Sequence, residues 1–254
     1  MKCITRLLVI VGLLLSGALI VHAGIPNPGP GKTNIFMQNL GPDPAEVQLV
    51  FTTGETGGTA WTTSTGAMIE PKAARMVLYP DFGGTITDGW AGAVEVSSTQ
   101  PLAAIVNMFW DSPTGVTTAA TYTGVDAPSG EVYLPNLLVR DGRQTRITVQ
   151  NTESGEATVV LHFYNRNGTP VGDKTITIPS KSEKTLYLNQ VPEADFSATV
   201  GTGSAYITSA SNIAAIASLH WEPSNVSAAS EAYSGVSQGD TILWIPGVFR
   251  RQNW

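Results

Sequence analysis

The twenty residues VYLPNLLVRDGRQTRITVQN, 132–151, recur in part towards both ends of the chain, and this recurrence limits the possible folds more than any other feature. Leu134-Pro135-Asn136 returns as Ile25-Pro26-Asn27 and as Ile245-Pro246-Gly247. Thr145–Asn151, TRITVQN, returns upstream as Thr33–Asn39, TNIFMQN. Leu134 stands 111 residues before Ile245, and Gln38 stands 112 before Gln150. A near-constant offset of that size marks two copies of one unit, with the repeated stretch as the seam between them.

Each copy has a period of two. Val47, Leu49 and Phe51 alternate with Glu46, Gln48 and Val50, and the second copy repeats the pattern with Val159, Leu161 and Phe163 against Thr158, Val160 and His162. Strict alternation places one face of an antiparallel sheet on a core. Further correspondences follow in order. Ile69–Lys72 matches Ile178–Lys181, Gly92–Ser98 matches Gly203–Ser209, and Tyr122–Val125 matches Tyr233–Val236. The strongest is Leu102–Trp110 against Ile213–Trp221, apolar on both faces, which predicts a central strand covered on both sides. Phe51, Phe163, Ile105, Ile216, Trp110 and Trp221 are therefore expected to be buried at equivalent places. No window shows a helical period with caps. Short strands between Gly, Pro, Asn and Asp turns predict an all-β protein of two tandem antiparallel β-sandwich domains, immunoglobulin-like or jelly-roll. The expected boundaries are 24–130 and 131–254, the second ending in a seam strand over 241–249.

The first 23 residues are expected to be a cleaved signal peptide. Lys2 and Arg6 precede the apolar run Leu7–Val21, and Val21-His22-Ala23 offers a small-x-small cleavage site. The run is shorter than the ~20 residues of a spanning helix and is broken by Gly12, Ser16 and Gly17. A secreted, extracellular or cell-surface location follows, with membrane contact only through the signal. Cys3 is the only cysteine, so the mature chain is expected to have neither disulfides nor thiol chemistry. Lysine and arginine total 14 against 20 acidic residues, a net charge of −6 that repels phosphate backbones and argues against nucleic acid as a partner.

Candidate chemistry is sparse. Gly31-Lys32-Thr33 has the end of a phosphate-binding loop, but Pro26 stands where that loop needs its first glycine. His162 and His220 have no partners at metal or triad spacing, and no G-x-S-x-G elbow occurs. Asp43, Asp81, Asp88 and Asp111 fall in turns without forming a D-x-D-x-D loop. No catalytic residue, metal site or cofactor is expected. Trp61 and Trp90 lie in Gly/Thr-rich connections with no aromatic at the matching places of copy two, and are candidates for stacking on sugars. The bland alternative is that they cover the ends of a sandwich.

The series YLP, VQN, an alternating strand ending in FY, an IP turn, VSS or ITS, AAI to W, and Y-x-G resembles the tandem repeats of secreted surface proteins in filamentous environmental bacteria. It covers both copies. The resemblance implies fold and export and brings no catalytic residues with it.

The seam raises the question of assembly. Towards the C-terminus it reappears as Ile242-Leu243-Trp244-Ile245 with Val248 and Phe249, while near the N-terminus Pro28-Gly29-Pro30 replaces Leu137–Val139. If the seam strand closes the copy before it, residues 241–249 dock on domain two in cis, which is the expected arrangement. If it opens the copy after it, domain one lacks a strand and that of a neighbouring molecule can fill the gap, head to tail. A truncated frame is the third possibility. The expected function is thus an exported structural or adhesion protein of the cell surface or matrix, not an enzyme, with copies of itself or surface polysaccharide as partners. The alternative is a carbohydrate-binding module using Trp61 and Trp90.

Overall fold

The computed structural model describes residues 31–83, 86–87, 89–111, 117–140, 142–221 and 229–243. The expected signal peptide, the N-terminal Ile25-Pro26-Asn27 and the stretch from Trp244 onward lie outside them. The regular structure of the described chain is almost all strand, in the β-sandwich-like arrangement that the alternation predicts.

The first half holds β1 (Gly31–Asn39), β2 (Val47–Thr53), β3 (Thr59–Ser64), β4 (Ala74–Val77), β5 (Gly92–Ser98), β6 (Leu102–Asp111) and β7 (Thr117–Thr123). They form two antiparallel sheets, β4-β1-β6-β7 and β3-β2-β5. Ile35 and Met37 from one sheet meet Val47, Leu49 and Phe51 from the other in a common core. The second half holds β8 (Ser129–Arg140), β9 (Arg143–Asn151), β10 (Ala157–Asn165), β11 (Pro170–Ile178), β12 (Glu183–Tyr187), β13 (Thr202–Trp221) and β14 (Ala229–Ser234). Its order repeats that of the first: β12-β9-β13-β14 corresponds to β4-β1-β6-β7, and β11-β10-β13 to β3-β2-β5.

Two differences separate the halves. In the second, one strand does the work of two: β13 pairs with β10 and β8 through residues 202–209, then with β9 and β14 through 213–221. In the first, the chain breaks between β5 and β6 at Thr99–Pro101, and Pro101 has no N–H to continue a ladder. Asn212 stands at its equivalent, and the strand runs through.

The second difference is the seam. β8 lies against β13, with Val132 opposite Ile207, Tyr133 opposite Tyr206 and Leu134 opposite Ala205. A bridge from Tyr133 to Val236 holds its other edge. Val132, Leu134 and Leu137 are buried in the core of the second half. The seam therefore opens the half that follows it, contrary to the arrangement favoured from sequence.

The same asparagine knot ties each half. Asn39 Nδ2 donates to the carbonyls of Asp43 (2.7 Å) and Ile69 (2.8 Å), and its Oδ1 accepts from Gly41 N (2.8 Å). Asn151 Nδ2 donates to Gly155 O (2.7 Å), Ile178 O (3.2 Å) and Pro179 O (3.1 Å), and its Oδ1 accepts from Glu153 N (2.9 Å).

Burial corrects part of the expected core. Phe51, Phe163 and Trp110 are buried, but Ile105 is 46 % exposed, and Ile216 and Trp221 are only half-buried. In β6 the inner face carries Ala104 and Val106, so Ile105 points outward. Its counterpart Ile216 also points outward, but there the first half packs against the sheet, at the cleft that Ile216 lines.

Candidate functional site

The two tryptophans singled out for sugar stacking are packed on the core of the first half. Trp90 meets Phe51 edge-on at 5.9 Å between ring centroids, and Phe51 also lies 5.0 Å from Phe82. In the second half Phe196 meets Phe163 in the same T-shaped manner, at 6.2 Å. Gly92 and Gly203 give the matching evidence: a Cβ on Gly92 would collide with the Trp90 ring, and one on Gly203 with Phe196. Trp90 therefore has an aromatic counterpart, contrary to the sequence comparison. The indole nitrogens of both Trp61 and Trp90 are buried without a hydrogen-bond partner. These rings cover the end of a sandwich, which was the bland alternative.

The other singled-out residues are dispersed. His162 lies on the outer face of β10, with Nδ1 2.9 Å from Asp173 Oδ1 and its ring stacked on Tyr206. His220 is buried, with Nδ1 2.9 Å from Ser230 Oγ. Lys32 donates to Asp111 at 2.6 Å, which together with Thr117 holds that carboxyl below its ordinary range. Asp43 and Asp81 lie in separate exposed turns, and Asp88 falls outside the described residues. Among those residues no group of three His, Cys, Asp or Glu side chains can hold a metal ion, and no helix is long and apolar enough to cross a membrane.

A cleft of about 530 Å³ lies where the halves meet, lined among others by Trp110, Met108, Arg146, Tyr187 and Glu183. The guanidinium of Arg146 stacks over Trp110 at 5.0 Å and faces Tyr187 at 5.8 Å. In the second half Arg143 covers Trp221 in the same fashion, at 4.6 Å. Gly31 stands opposite Trp110 where Arg143 stands opposite Trp221, so the missing arginine is supplied from the other half. Across the same contact Glu55 N donates to Glu183 O (3.0 Å), and Ser182 Oγ to Thr53 O (2.9 Å).

Glu183 is the ionisable group under greatest stress there. Its desolvated carboxyl, near Glu55, is held above the ordinary range although Thr185 donates to it at 3.1 Å. A raised carboxylate means that the native state takes up its proton at higher pH than the unfolded chain does. Stability should then fall as pH rises from the ordinary carboxylate range through the raised native value. Glu183→Gln is expected to raise the melting temperature at neutral pH, with the gain vanishing in acid. Equal gains at both pH values would show that the charge is not the cause.

The feature with the clearest chemical consequence is the edge of β5. Among the described residues β5 pairs with β2 alone, whereas its counterpart, residues 203–209 of β13, is flanked by both β10 and β8. Val94 and Val96 are only half-buried, while Ala205 and Ile207, at the same places, are buried. A Cβ on Gly235 would run into Val132 and Leu134, but on the equivalent Gly124 it would meet only Ala104. Tyr233 Oη donates to Asn136 O (2.6 Å) and accepts from Asn136 N (3.1 Å), both on β8. The hydroxyl of Tyr122, its counterpart, has no hydrogen bond to a described residue, and burial pushes it up to about 12, so it stays a proton donor. Ile242 and Leu243, the start of the recurring seam, are 66 % and 74 % exposed and belong to no strand. Trp244, Ile245, Val248 and Phe249 lie outside the described residues. The sequence left open whether the first copy lacks a strand, and residues 24–30, which stand before β1 as β8 stands before β9, lie outside the described residues.

These features define an all-β, sandwich-like protein in whose first half, among the described residues, the inner edge of β5 has no partner, where the second half has a filled edge. The chain belongs to the family described as "Family of unknown function (DUF5719)", whose pattern matches residues 31–234. No curated protein matches the chain. Among solved structures it is similar to one titled "Crystal Structure of Thermotoga maritima 1070", with 14 % identity over 44 % of this chain and 96 % of that one, at a TM-score of 0.39. So slight a likeness does not bear on function.

Proposed function

We propose that this protein is an exported structural component of the cell surface or extracellular matrix, built from two copies of one sandwich module and acting by adhesion or assembly rather than catalysis. The observation that carries the proposal is the edge of β5, which has no partner among the described residues where the second half holds β8. An exposed edge strand offers a row of backbone donors and acceptors together with apolar pockets on alternate residues, which is the chemistry of strand addition. Secretion is supported by the N-terminal sequence, and an extracellular setting by the low charge content of 13 %. The rival, a carbohydrate-binding module centred on Trp61 and Trp90, has less support, because both indoles pack on the core of the first half with their ring nitrogens buried. Electron microscopy and sedimentation of the purified protein test the proposal. Fibres, rings or other multi-copy particles that grow with concentration are expected. A chain that stays monomeric at high concentration, and is not retained on surface polysaccharide, would overturn it.

A further inference from the structure

The site that this function rests on also specifies its own occupant. We propose that the β5 edge of one molecule receives residues 242–249 of a second copy, antiparallel, in the register that β8 takes against β13, so that molecules join head to tail. The inference rests on the structural reading above and adds the partner, the segment and the pairing.

The positions follow from the repeat. Leu134-Pro135-Asn136 corresponds to Ile245-Pro246-Gly247, so Val132 corresponds to Leu243, Tyr133 to Trp244 and Leu137 to Val248. On the receiving side Ile207, Tyr206 and Ala205 correspond to Val96, Glu95 and Val94. The β8 ladder then predicts Leu243 opposite Val96, Trp244 opposite Glu95 and Ile245 opposite Val94. Val132, Leu134 and Leu137 all face the core, and Leu243, Ile245 and Val248, apolar in every case, take their places. They would cover Val94 and Val96 and fill the space beside Gly124 that Val132 and Leu134 fill beside Gly235. Two polar side chains are lost in the exchange, that of Glu131, which becomes Ile242, and that of Asn136, which becomes Gly247. The loss at Asn136 is tolerable, because Tyr233 bonds only the backbone N and O of Asn136, and Gly247 offers both to Tyr122. The segment cannot take the corresponding place in its own second half, because β8 already occupies it.

Tyr133 exchanges backbone hydrogen bonds with Val236, so its own pair with Tyr206 is of the non-hydrogen-bonded kind. Such pairs bring Cα atoms to about 4.5 Å, within disulfide reach. Trp244 and Glu95 inherit that pairing and point outward. In a Cys3→Ser background, the double variant Glu95→Cys, Trp244→Cys should therefore oxidise to a ladder of covalent dimers, trimers and larger species that reductant collapses. Ser97→Cys with Trp244→Cys, two residues out of register, should give no ladder. Leu243→Asp alters a side chain that is 74 % exposed within the single molecule. It should abolish assembly while leaving the melting curve unchanged. Tyr122→Phe should weaken assembly roughly tenfold, the effect of about one lost hydrogen bond.

A disulfide formed within one chain, or multi-copy particles that survive Leu243→Asp, would overturn this inference and leave the structural function standing. A purified protein that forms no multi-copy species at any concentration would also overturn this inference, and one that in addition is not retained on surface polysaccharide would remove both.

Discussion

Phe163→Ala is expected to cost the protein about 3–5 kcal/mol. The side chain is fully buried, it stands in the alternating row Val159, Leu161, Phe163 of β10, and it meets Phe196 edge-on across the core. Its removal leaves a cavity whose walls are held by two sheets sharing β13, so they have little freedom to close in. For a unit of about 100 residues each kcal/mol is worth about 4–8 °C, and the main thermal transition should drop by more than about 10 °C. An unchanged melting curve would contradict the placement of this ring. Ile105→Ala provides the contrast: sequence puts it in the core and the structure puts it outside, so its effect should stay within about 0.5 kcal/mol.

Asn151→Ala should come next, at about 2–4 kcal/mol. The side chain is completely buried and bonds the carbonyls of Gly155, Ile178 and Pro179 and the N–H of Glu153. Ile178 also lies in the ladder opposite Ala157 and Pro179 O also accepts from Ser182 N, so Gly155 O and Glu153 N depend on it most. Alanine would strand those groups away from water, each such loss costing about 1–3 kcal/mol, partly recovered by relaxation. Asn151→Asp should be at least as harmful, because a carboxylate turns an acceptor towards three carbonyl oxygens. Asn39 occupies the same knot in the first half with two carbonyls and one N–H, so Asn39→Ala should be costly too. Denaturant titration checks both; a loss below about 0.5 kcal/mol for Asn151→Ala would mean that the network carries no stability.

Much of this architecture could be read from the sequence. The strict alternation in Val47–Phe51 and Val159–Phe163 identifies strand, face and core, because only a period of two puts those side chains together. The repeat anticipates that strand order will recur, and it does. What alternation cannot say is which neighbour a strand joins, since every pairing with the right face turned inward satisfies it. That is why β8 could be assigned equally to the half before it or after it. Trp90 was misjudged for a related reason. It stands two residues before Gly92, while Phe196 stands seven before Gly203; loops of unequal length deliver the two rings to one place, and no alignment by spacing pairs them. The stacking of Arg146 on Trp110 was hidden because it joins different copies. Alternation could not tell whether the first copy has a strand beside β5, and the Pro28-Gly29-Pro30 stretch that replaces Leu137–Val139 lies outside the described residues.

The unbroken run of β13 makes the two halves unequal in how they come apart. In the second half the same twenty residues close both sheets. Pulling β8 or β10 from one layer loosens the strand on which β9 and β14 depend in the other, so that half must melt as one cooperative unit. In the first half β5 and β6 are separate strands hinged at Pro101, and the β3-β2-β5 layer can breathe while β4-β1-β6-β7 stays shut. Local opening is therefore expected to concentrate in the β3-β2-β5 layer, where β5 has no second partner among the described residues.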